Sequence, residues 1–204
     1  LKRLQTDYID LYQSHRDDPE TPVDEVLGAY ARLIEQGKVR AIGASNFTPE
    51  RLAESLAASE RLGLPRYESV QPLYNLYDRS TLEGPLAELC LKEGIGVIPY
   101  YGLAAGFLTG KYRSEADLGK SPRGGGIKKY LDERGLRILA ALDQAAAQKQ
   151  ATPGQVAIAW QLQKPFVTAP IASATSLAQL DELVKAVDLD LDAATVAKLD
   201  AASA

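Results

Sequence analysis

The stretch Thr6-Asp-Tyr-Ile-Asp-Leu-Tyr-Gln-Ser-His15 decides how the chain is interpreted. Ile9, Leu11 and Gln13 point to one face of an extended chain, and the residues between them point to the other. This alternation predicts a half-buried β-strand over residues 6–14. A polar turn cluster, residues 16–19, follows at once. The single histidine of the chain, His15, is therefore expected at the carboxyl end of a strand.

Strand-like and helix-like segments continue to alternate along the chain. Short apolar runs predict further strands at residues 39–44, 67–71, 94–99 and 166–171. Helical spacing predicts helices at residues 23–36, 80–93, 135–149 and 153–163, one of about 13 residues from Pro49, and two short ones at the C-terminal end. Pro49 and Pro153 each follow a capping threonine, which is typical of a helix start. Five such βα units predict a parallel sheet covered by helices.

Two architectures fit this pattern, an open doubly wound sheet and a (β/α)₈ barrel. An open sheet that binds a dinucleotide usually carries GxGxxG after a strand, and the chain has no such motif. A barrel needs eight units, so about 90–120 residues, at about 30 per unit, would precede those found here. The chain starts at Leu1 and contains no methionine. We therefore expect residues 1–204 to form one domain that is the C-terminal part of a larger barrel.

Composition argues against several classes of protein. Of the 204 residues, 46% are hydrophobic and 25% are charged, which are ordinary globular values. The net charge is −4 with both signs interspersed, so neither a nucleic-acid partner nor a membrane partner is expected. Cys90 lies on an apolar helix face and is expected to pack as a small hydrophobic residue. It is the only cysteine, which excludes a disulfide framework and favours the cytoplasm. One histidine and one cysteine also exclude a zinc site built from these ligands.

Five motifs occur in order at successive strand ends. They are Asp10-Leu-Tyr-Gln-Ser-His15, Ile42-Gly-Ala-Ser-Asn46, Val70-Gln-Pro-Leu-Tyr-Asn75, Pro99-Tyr-Tyr-Gly-Leu-Ala-Ala-Gly-Phe-Leu-Thr-Gly-Lys111 and Pro170-Ile-Ala-Ser-Ala-Thr-Ser-Leu-Ala-Gln179. Over its whole length the chain thus resembles the aldo-keto reductases, in particular the branch with a Gly-Phe-Leu-Thr-Gly-Lys loop. The resemblance implies a (β/α)₈ TIM barrel, here strands four to eight only, with a nicotinamide cofactor across the C-terminal face.

The family's active site uses Asp, Tyr, Lys and His, with Tyr as the proton donor. The first three normally belong to the second and third strands and their loops, which have no counterpart in this chain. The resemblance therefore assigns a catalytic role to His15 alone. An imidazole can orient or protonate a carbonyl oxygen. On position alone, a strand-end histidine bonded to the backbone is an equally good interpretation.

The resemblance also implies where the cofactor binds. Ser45, Asn46 and Gln71 would bind the nicotinamide carboxamide, since amides supply both donors and acceptors. Tyr100 would stack on the ring. A small-residue loop would approach the pyrophosphate, and Lys111 adds charge there. This loop comprises Tyr101, Gly102, Leu103, Gly106, Leu108, Gly110 and Lys111. The last loop and its helix would reach the adenosine through Ser173, Thr175, Gln179 and Glu182. Turn capping by Ser45-Asn46 and core packing of Tyr100 are the alternatives.

Thr175 stands where many family members carry arginine. Arginine can clamp the 2′-phosphate of NADP with two hydrogen bonds, and threonine cannot. NADP is the expected cofactor, with NAD as the alternative. A basic residue of the segment 111–129 or a helix N-terminus would have to supply the compensating charge.

Two classes of function remain open. The leading one is an NAD(P)H-dependent oxidoreductase that, in its full-length form, reduces a small aldehyde or ketone substrate to an alcohol without a metal. The other is a non-catalytic, cofactor-binding regulatory subunit resembling potassium-channel β subunits, or an inactive fragment. Composition does not distinguish these two hypotheses. Steady-state oxidation of NAD(P)H by the full-length protein with a panel of aldehydes would distinguish them.

Overall fold

The structure, a computed structural model, describes residues 1–120 and 124–204. It has an α/β fold that divides into two units. Unit 1 comprises Leu1–Pro72 and Leu82–Ile98, and unit 2 comprises Leu73–Thr81 and Pro99–Ala204. No helix in the described ranges is both long enough and apolar enough to cross a membrane.

Unit 1 is a parallel sheet of four strands whose connections are helical. The strands follow chain order across the sheet: β1 (Ile9–Ser14), β2 (Val39–Ser45), β3 (Tyr67–Gln71) and β4 (Gly96–Val97). The helices between them are α1 (Val23–Glu35), α2 (Pro49–Leu62) and α3 (Pro85–Glu93). The sequence predicted each of these elements, although β1 begins later than expected, β4 is shorter, and α3 begins at Pro85 and not at residue 80.

Local signals explain where α2 begins and ends. The Thr48 hydroxyl accepts a hydrogen bond from Arg51 N at 3.2 Å, and Pro49 occupies the first turn. Gly63 adopts the left-handed conformation that ends the helix, with φ of 63°. Capping hydroxyl, early proline and terminal glycine are each favourable on their own. The helix accordingly has 14 residues, close to the predicted length.

The core of unit 1 lies between the sheet and its helices. Ile42 and Val70 of the sheet, and Leu27 and Leu52 of α1 and α2, are at most 1% exposed. Each such side chain contributes roughly 1.5–3 kcal/mol on burial. Cys90 of α3 is buried as well, which confirms that it packs as a small hydrophobic residue.

The middle of the sheet depends on a glycine. Gln13, Gly43 and Ser69 are neighbours across β1, β2 and β3. A Cβ atom at Gly43 would lie 2.4 Å from Ser69 Oγ and 3.0 Å from Gln13 Cγ. The missing side chain therefore lets two polar side chains approach each other over β2. Two residues later, the same strands end at sequence-predicted site residues.

The described part of unit 2 is mainly helical. Its α-helices are α4 (Glu133–Lys149), α5 (Pro153–Leu162), α6 (Leu177–Lys185) and α7 (Ala193–Ser203). Helix α5 is buried along most of its length, and its Trp160 stacks on Tyr74 with ring centroids 5.4 Å apart. Asp200 of α7 accepts hydrogen bonds from the Trp160 indole at 3.0 Å and from Lys164 Nζ at 2.7 Å. These contacts fix the last helix against α5.

The predicted fifth strand, residues 166–171, is not a strand in the structure. Pro165 and Pro170 flank or enter it, and each removes one backbone donor that a sheet would need. Val167 N–H closes a turn onto Lys164 O at 3.0 Å, and Ile171 N–H donates to Pro99 O at 2.8 Å. The sheet of the described residues therefore has four strands and not five.

We expect Gly43→Ala to destabilise the fold by about 1–3 kcal/mol, because the new methyl group would overlap the Gln13 and Ser69 side chains. The free energy of unfolding in urea measures this. Gly28→Ala is the matched control, since a Cβ at this helical position has no neighbour within 4 Å. The double variant Gly43→Ala/Ser69→Ala should recover part of the lost free energy of unfolding, because the nearest clashing atom, Ser69 Oγ, is then absent. Equal stability of Gly43→Ala and wild type would contradict the steric argument.

Candidate active site

In unit 1, the carboxyl ends of three neighbouring strands meet at one edge of the sheet. Ser14 pairs with Ala44, and Ser45 pairs with Gln71. The chain beyond β2 then reaches back to β1, because Asn46 Nδ2 donates to His15 O at 2.9 Å. The structure thus brings together four sequence-predicted site residues: His15, Ser45, Asn46 and Gln71.

Ser45 and Asn46 connect the strand ends through hydrogen bonds. The Ser45 hydroxyl is buried, donates to Gln71 O at 2.8 Å and accepts from Asn46 Nδ2 at 3.1 Å. Asn46 adopts φ of 57°, a left-handed conformation that asparagine tolerates better than most residues. These contacts run to the ends of the neighbouring strands β1 and β3. They therefore hold this edge of the sheet in one arrangement.

Two side chains at this edge remain available for a ligand. The Gln71 amide is half-buried and hydrogen-bonds to none of the described residues. His15 is exposed, and its imidazole is likewise unbonded within the described part of the chain. The backbone alternative for the histidine therefore applies to its carbonyl group and not to its ring. An amide and an imidazole together offer both donors and acceptors to a polar ligand.

In unit 2, several residues of the small-residue loop have strained backbone conformations. Three of its non-glycine residues have positive φ: Tyr101 at 58°, Ala104 at 49° and Ala105 at 56°. Each such residue costs of order 1–3 kcal/mol, and such strain concentrates at ligand-binding segments. Gly106 and Gly110 also have positive φ, of 97° and 78°. The loop therefore needs external contacts to hold its shape.

Three consecutive carbonyl groups supply those contacts. Tyr100 O accepts from Tyr74 N at 3.3 Å. Tyr101 O accepts from Asn75 Nδ2 at 3.1 Å, and Gly102 O accepts from Gln161 Nε2 at 3.0 Å. Both amide side chains are 0% exposed. Buried amides that hold successive carbonyl groups fix the path of the loop.

The sequence did not identify these two residues as part of the site. Asn75 closes one of the five motifs, so its presence there was a visible signal. Its Oδ1 atom accepts hydrogen bonds from Tyr77 N and Asp78 N, both at 2.8 Å. Gln161 lies in a helix far along the chain, and nothing in its surroundings distinguishes it from other glutamines.

Lys111 lies beside the most open part of the loop backbone. A Cβ atom at Gly106 would be 3.3 Å from Lys111 Nζ, so the ammonium group lies close to this glycine. The other described cations of segment 111–129 each have a carboxylate partner. The pairs are Arg113–Asp143, Lys120–Asp117, Lys128–Glu115 and Lys129–Asp78. Arg123, the remaining cation of this segment, lies outside the described residues. Among the cations that the structure describes here, Lys111 alone has no carboxylate partner.

The residues predicted for the adenosine end are largely exposed. Gln179 Oε1 accepts from Thr175 N at 2.9 Å and from Thr175 Oγ at 3.0 Å. Glu182 accepts a hydrogen bond from the Thr152 hydroxyl, which ties α6 to the start of α5. Ser173 is exposed beside them. Residues 165–184 include no lysine or arginine, and two of them are acidic.

Burial opposes proton donation at several tyrosines of the described ranges. Burial raises the pKa of four tyrosines: Tyr30, Tyr67, Tyr77 and Tyr130. A tyrosine that donates a proton near neutral pH needs a lowered pKa instead. Burial also raises the pKa of the Cys90 thiol to about 11, so it is not a nucleophile at neutral pH. Within the described ranges, no cluster of three or more His, Cys, Asp or Glu side chains could hold a metal ion.

The chain is similar to known proteins along its whole length. A sequence model described as the aldo/keto reductase family matches residues 1–204. A probable aldo-keto reductase of Glycine max is 33% identical over 94% of the chain and 54% of its own length. The L-glyceraldehyde 3-phosphate reductase of Escherichia coli (strain K12) is 32% identical, over 92% and 56%. A probable voltage-gated potassium channel subunit beta of Arabidopsis thaliana is 34% identical, over 93% and 59%. The chain therefore spans little more than half the length of these relatives.

We expect Gln161→Glu to destabilise the protein by at least about 3 kcal/mol, because a buried carboxylate would face two carbonyl groups without a donor. Those groups are Gly102 O and Ala157 O. The loss should shrink as the pH falls, since the protonated carboxyl regains one donor. Urea unfolding at several pH values measures both effects. Gln144→Glu, on the exposed face of α4, should change stability by less than about 0.5 kcal/mol. A Gln161→Glu protein that is as stable as this control would refute the anchoring role.

Proposed function

Because the chain belongs to the aldo/keto reductase family, we propose that the complete protein is an NAD(P)H-dependent oxidoreductase that reduces aldehydes or ketones to alcohols. We propose further that the sheet is part of a (β/α)₈ barrel, from its fourth strand onward. The observation that carries the proposal is the strand-end edge of unit 1. There, an exposed imidazole and an unbonded amide stand beside the Ser45–Asn46 pair.

The residues of the chain fit a nicotinamide dinucleotide in chemical type. The Gln71 amide, with Ser45 and Asn46, suits a carboxamide, which both donates and accepts hydrogen bonds. The Lys111 ammonium beside Gly106 suits a phosphate, because the missing side chain allows close backbone approach. Tyr100 is half-buried, so part of its ring can face a flat ligand. When bound, the dinucleotide supplies the hydride for reduction.

His15 then has a defined task at the substrate. Carbonyl reduction builds negative charge on oxygen, and a hydrogen-bond donor beside that oxygen lowers the barrier. An imidazole N–H at the exposed strand end can donate this bond and orient the carbonyl. By the family resemblance, the proton comes from the tyrosine of the Asp, Tyr and Lys set, for which this chain has no counterpart. We therefore propose that residues 1–204 alone are inactive.

The choice between NADP and NAD turns on charge at the adenosine end. The family resemblance favours NADP. The side chains favour NAD, because residues 165–184 contain no cation and Arg113 is held by Asp143 through two bonds of 2.7 and 2.8 Å. A 2′-phosphate in this segment would meet acidic groups, which repel it.

A regulatory subunit is the second candidate, since one relative is named a probable potassium channel subunit beta. Such a protein would bind the cofactor without rapid turnover. Steady-state oxidation of NADPH and NADH by the complete gene product with a panel of aldehydes separates the two functions. Turnover on the order of 1–10 s⁻¹ is typical of an enzyme and would exclude a purely regulatory role. The same rate from residues 1–204 alone would show that the acid has been misplaced.

We expect His15→Ala, in the complete gene product, to lower kcat/KM by about 100-fold or more, the usual effect of losing a donor to a developing oxyanion. The dissociation constant of the cofactor should stay within twofold, because the imidazole faces the substrate. His15→Gln keeps an N–H donor and should retain more activity than alanine. Weaker cofactor binding with normal turnover would instead make His15 a structural residue.

We expect Thr175→Arg to tighten NADPH binding by about tenfold or more and to leave NADH binding nearly unchanged. A new charge-assisted hydrogen bond to the 2′-phosphate is worth about 1.5–3 kcal/mol. Fluorescence titration with both cofactors measures the ratio. Gln144→Arg adds the same charge far along the chain and should not alter it. An unchanged ratio in Thr175→Arg would mean that this position does not face the 2′-phosphate.

A further inference from the structure

The loop that carries His15 has a compact shape of its own. We call residues 15–22, between β1 and α1, the histidine loop. Asp18 organises it, since its carboxylate accepts from Glu20 N at 3.2 Å and from the Thr21 hydroxyl at 2.8 Å. Asp18 O also accepts from Thr21 N at 3.1 Å. The second half of the loop is thus a turn that is hydrogen-bonded within itself.

One side chain from outside the loop is hydrogen-bonded to that turn at several points. Arg51, in the first turn of α2, donates from Nε to Asp17 Oδ1 at 3.0 Å. Its Nη2 atom donates to Thr21 O at 2.7 Å and to Asp18 O at 3.3 Å. Its Nη1 atom donates to Glu54 Oε2 at 3.1 Å, within α2. The guanidinium therefore contacts three loop residues and is locked to its own helix.

The Arg51–Asp17 ion pair is unusual because both of its side chains are largely buried. The side chains of Arg51 and Asp17 are only 15% and 21% exposed. By comparison, the Arg40–Asp10 pair, at 2.7 Å, joins side chains that are 64% and 73% exposed. An exposed pair of that kind contributes little, whereas removing one partner of a half-buried pair leaves the other uncompensated.

The chemistry of the contact requires arginine. The planar guanidinium presents five donors in a fixed fork, and three of its nitrogens are used here. A lysine ammonium at the same position is a point charge that cannot reach a carboxylate, two carbonyl groups and Glu54 together.

The same segment holds the other end of the histidine loop. Asn46, five residues before Arg51, donates to His15 O at 2.9 Å. Both anchors thus belong to the short stretch from Asn46, just after β2, to the first turn of α2, and the Thr48 cap fixes that stretch locally. The backbone of the histidine is held at His15 itself and again from Asp17 onward.

We propose that Arg51 is a positioning residue that holds the histidine loop in the one arrangement in which His15 serves the reaction. The inference rests on the proposed function, since it concerns the task assigned to His15. Arg51 acts through the loop backbone and the Asp17 carboxylate. It needs no contact with substrate or cofactor.

Hydrogen exchange and kinetics of the complete gene product test the proposal together. The variants are Arg51→Met, which removes all the contacts, and Arg51→Lys, which keeps the charge. Arg40→Met breaks a surface ion pair of the same sheet, and Glu54→Gln removes only the negative charge of the Arg51 partner within α2. Mass spectrometry follows amide exchange in residues 15–21, and kinetics gives kcat, KM and the cofactor dissociation constant.

We expect exchange of residues 15–21 to become at least tenfold faster in Arg51→Met, with kcat lowered 10- to 100-fold and cofactor affinity within twofold of wild type. Arg51→Lys should lie between Arg51→Met and wild type. Arg40→Met and Glu54→Gln should match wild type in both measurements. If Arg51→Met does not fold, Arg51→Lys and Asp17→Asn decide by the same two measurements.

Unchanged exchange in residues 15–21 would overturn the proposal, as would faster exchange with an unchanged kcat. The exchange measurement needs no substrate. A wild-type protein that reduces no aldehyde would therefore overturn the proposed function, while the exchange data would still decide whether Arg51 holds the loop.

Discussion

The register of β1, β2 and β3 is the constraint on which the candidate site depends. Parallel pairing places the carboxyl ends of these strands at one edge. Beneath that edge, Gly43 leaves the space that the Gln13 and Ser69 side chains occupy. A slip of one residue would turn every side chain of a strand to the opposite face. His15 and Gln71 would then no longer share an edge with Ser45. The chemistry at the edge is thus a consequence of backbone pairing in the middle of the sheet.

Most elements could be predicted because their signals are local. Thr48-Pro49 and Thr152-Pro153 each combine a cap with an early proline, and both helices begin where these pairs stand. The segment 166–171 was predicted wrongly from the same kind of apolar run. A strand needs a partner with free donors and acceptors along its length, and the prolines at 165 and 170 limit what this segment can offer. Pairing is a property of two segments, which periodicity in one of them does not reveal.

The edge of the candidate site was predictable, but the residues that support it were not. Strand ends carry His15, Asn46 and Gln71, and parallel strands must end together. Arg51 and Gln161 act across 30 and 59 residues of chain, at Thr21 O and Gly102 O. Their types are common in helices, and only burial and distance distinguish them. Asn75 lies between these cases, because a motif marked its position without indicating what it would contact.

The two predicted functional loops are held by different chemistry, and the difference fits what each is proposed to bind. The charged guanidinium of Arg51 holds the histidine loop, beside which the proposed substrate is a neutral carbonyl compound. Neutral amides, Asn75 and Gln161, hold the loop that precedes Lys111. The Asn75 amide also donates to Asp78 Oδ2 at 3.1 Å, and that carboxylate lies near the Lys129 ammonium, so its charge has a partner of its own. Neutral anchors leave the positive charge of Lys111 uncompensated by its surroundings. We propose this charge for the phosphates of a dinucleotide, and amide anchors hold the loop without themselves adding a carboxylate that would pair with Lys111.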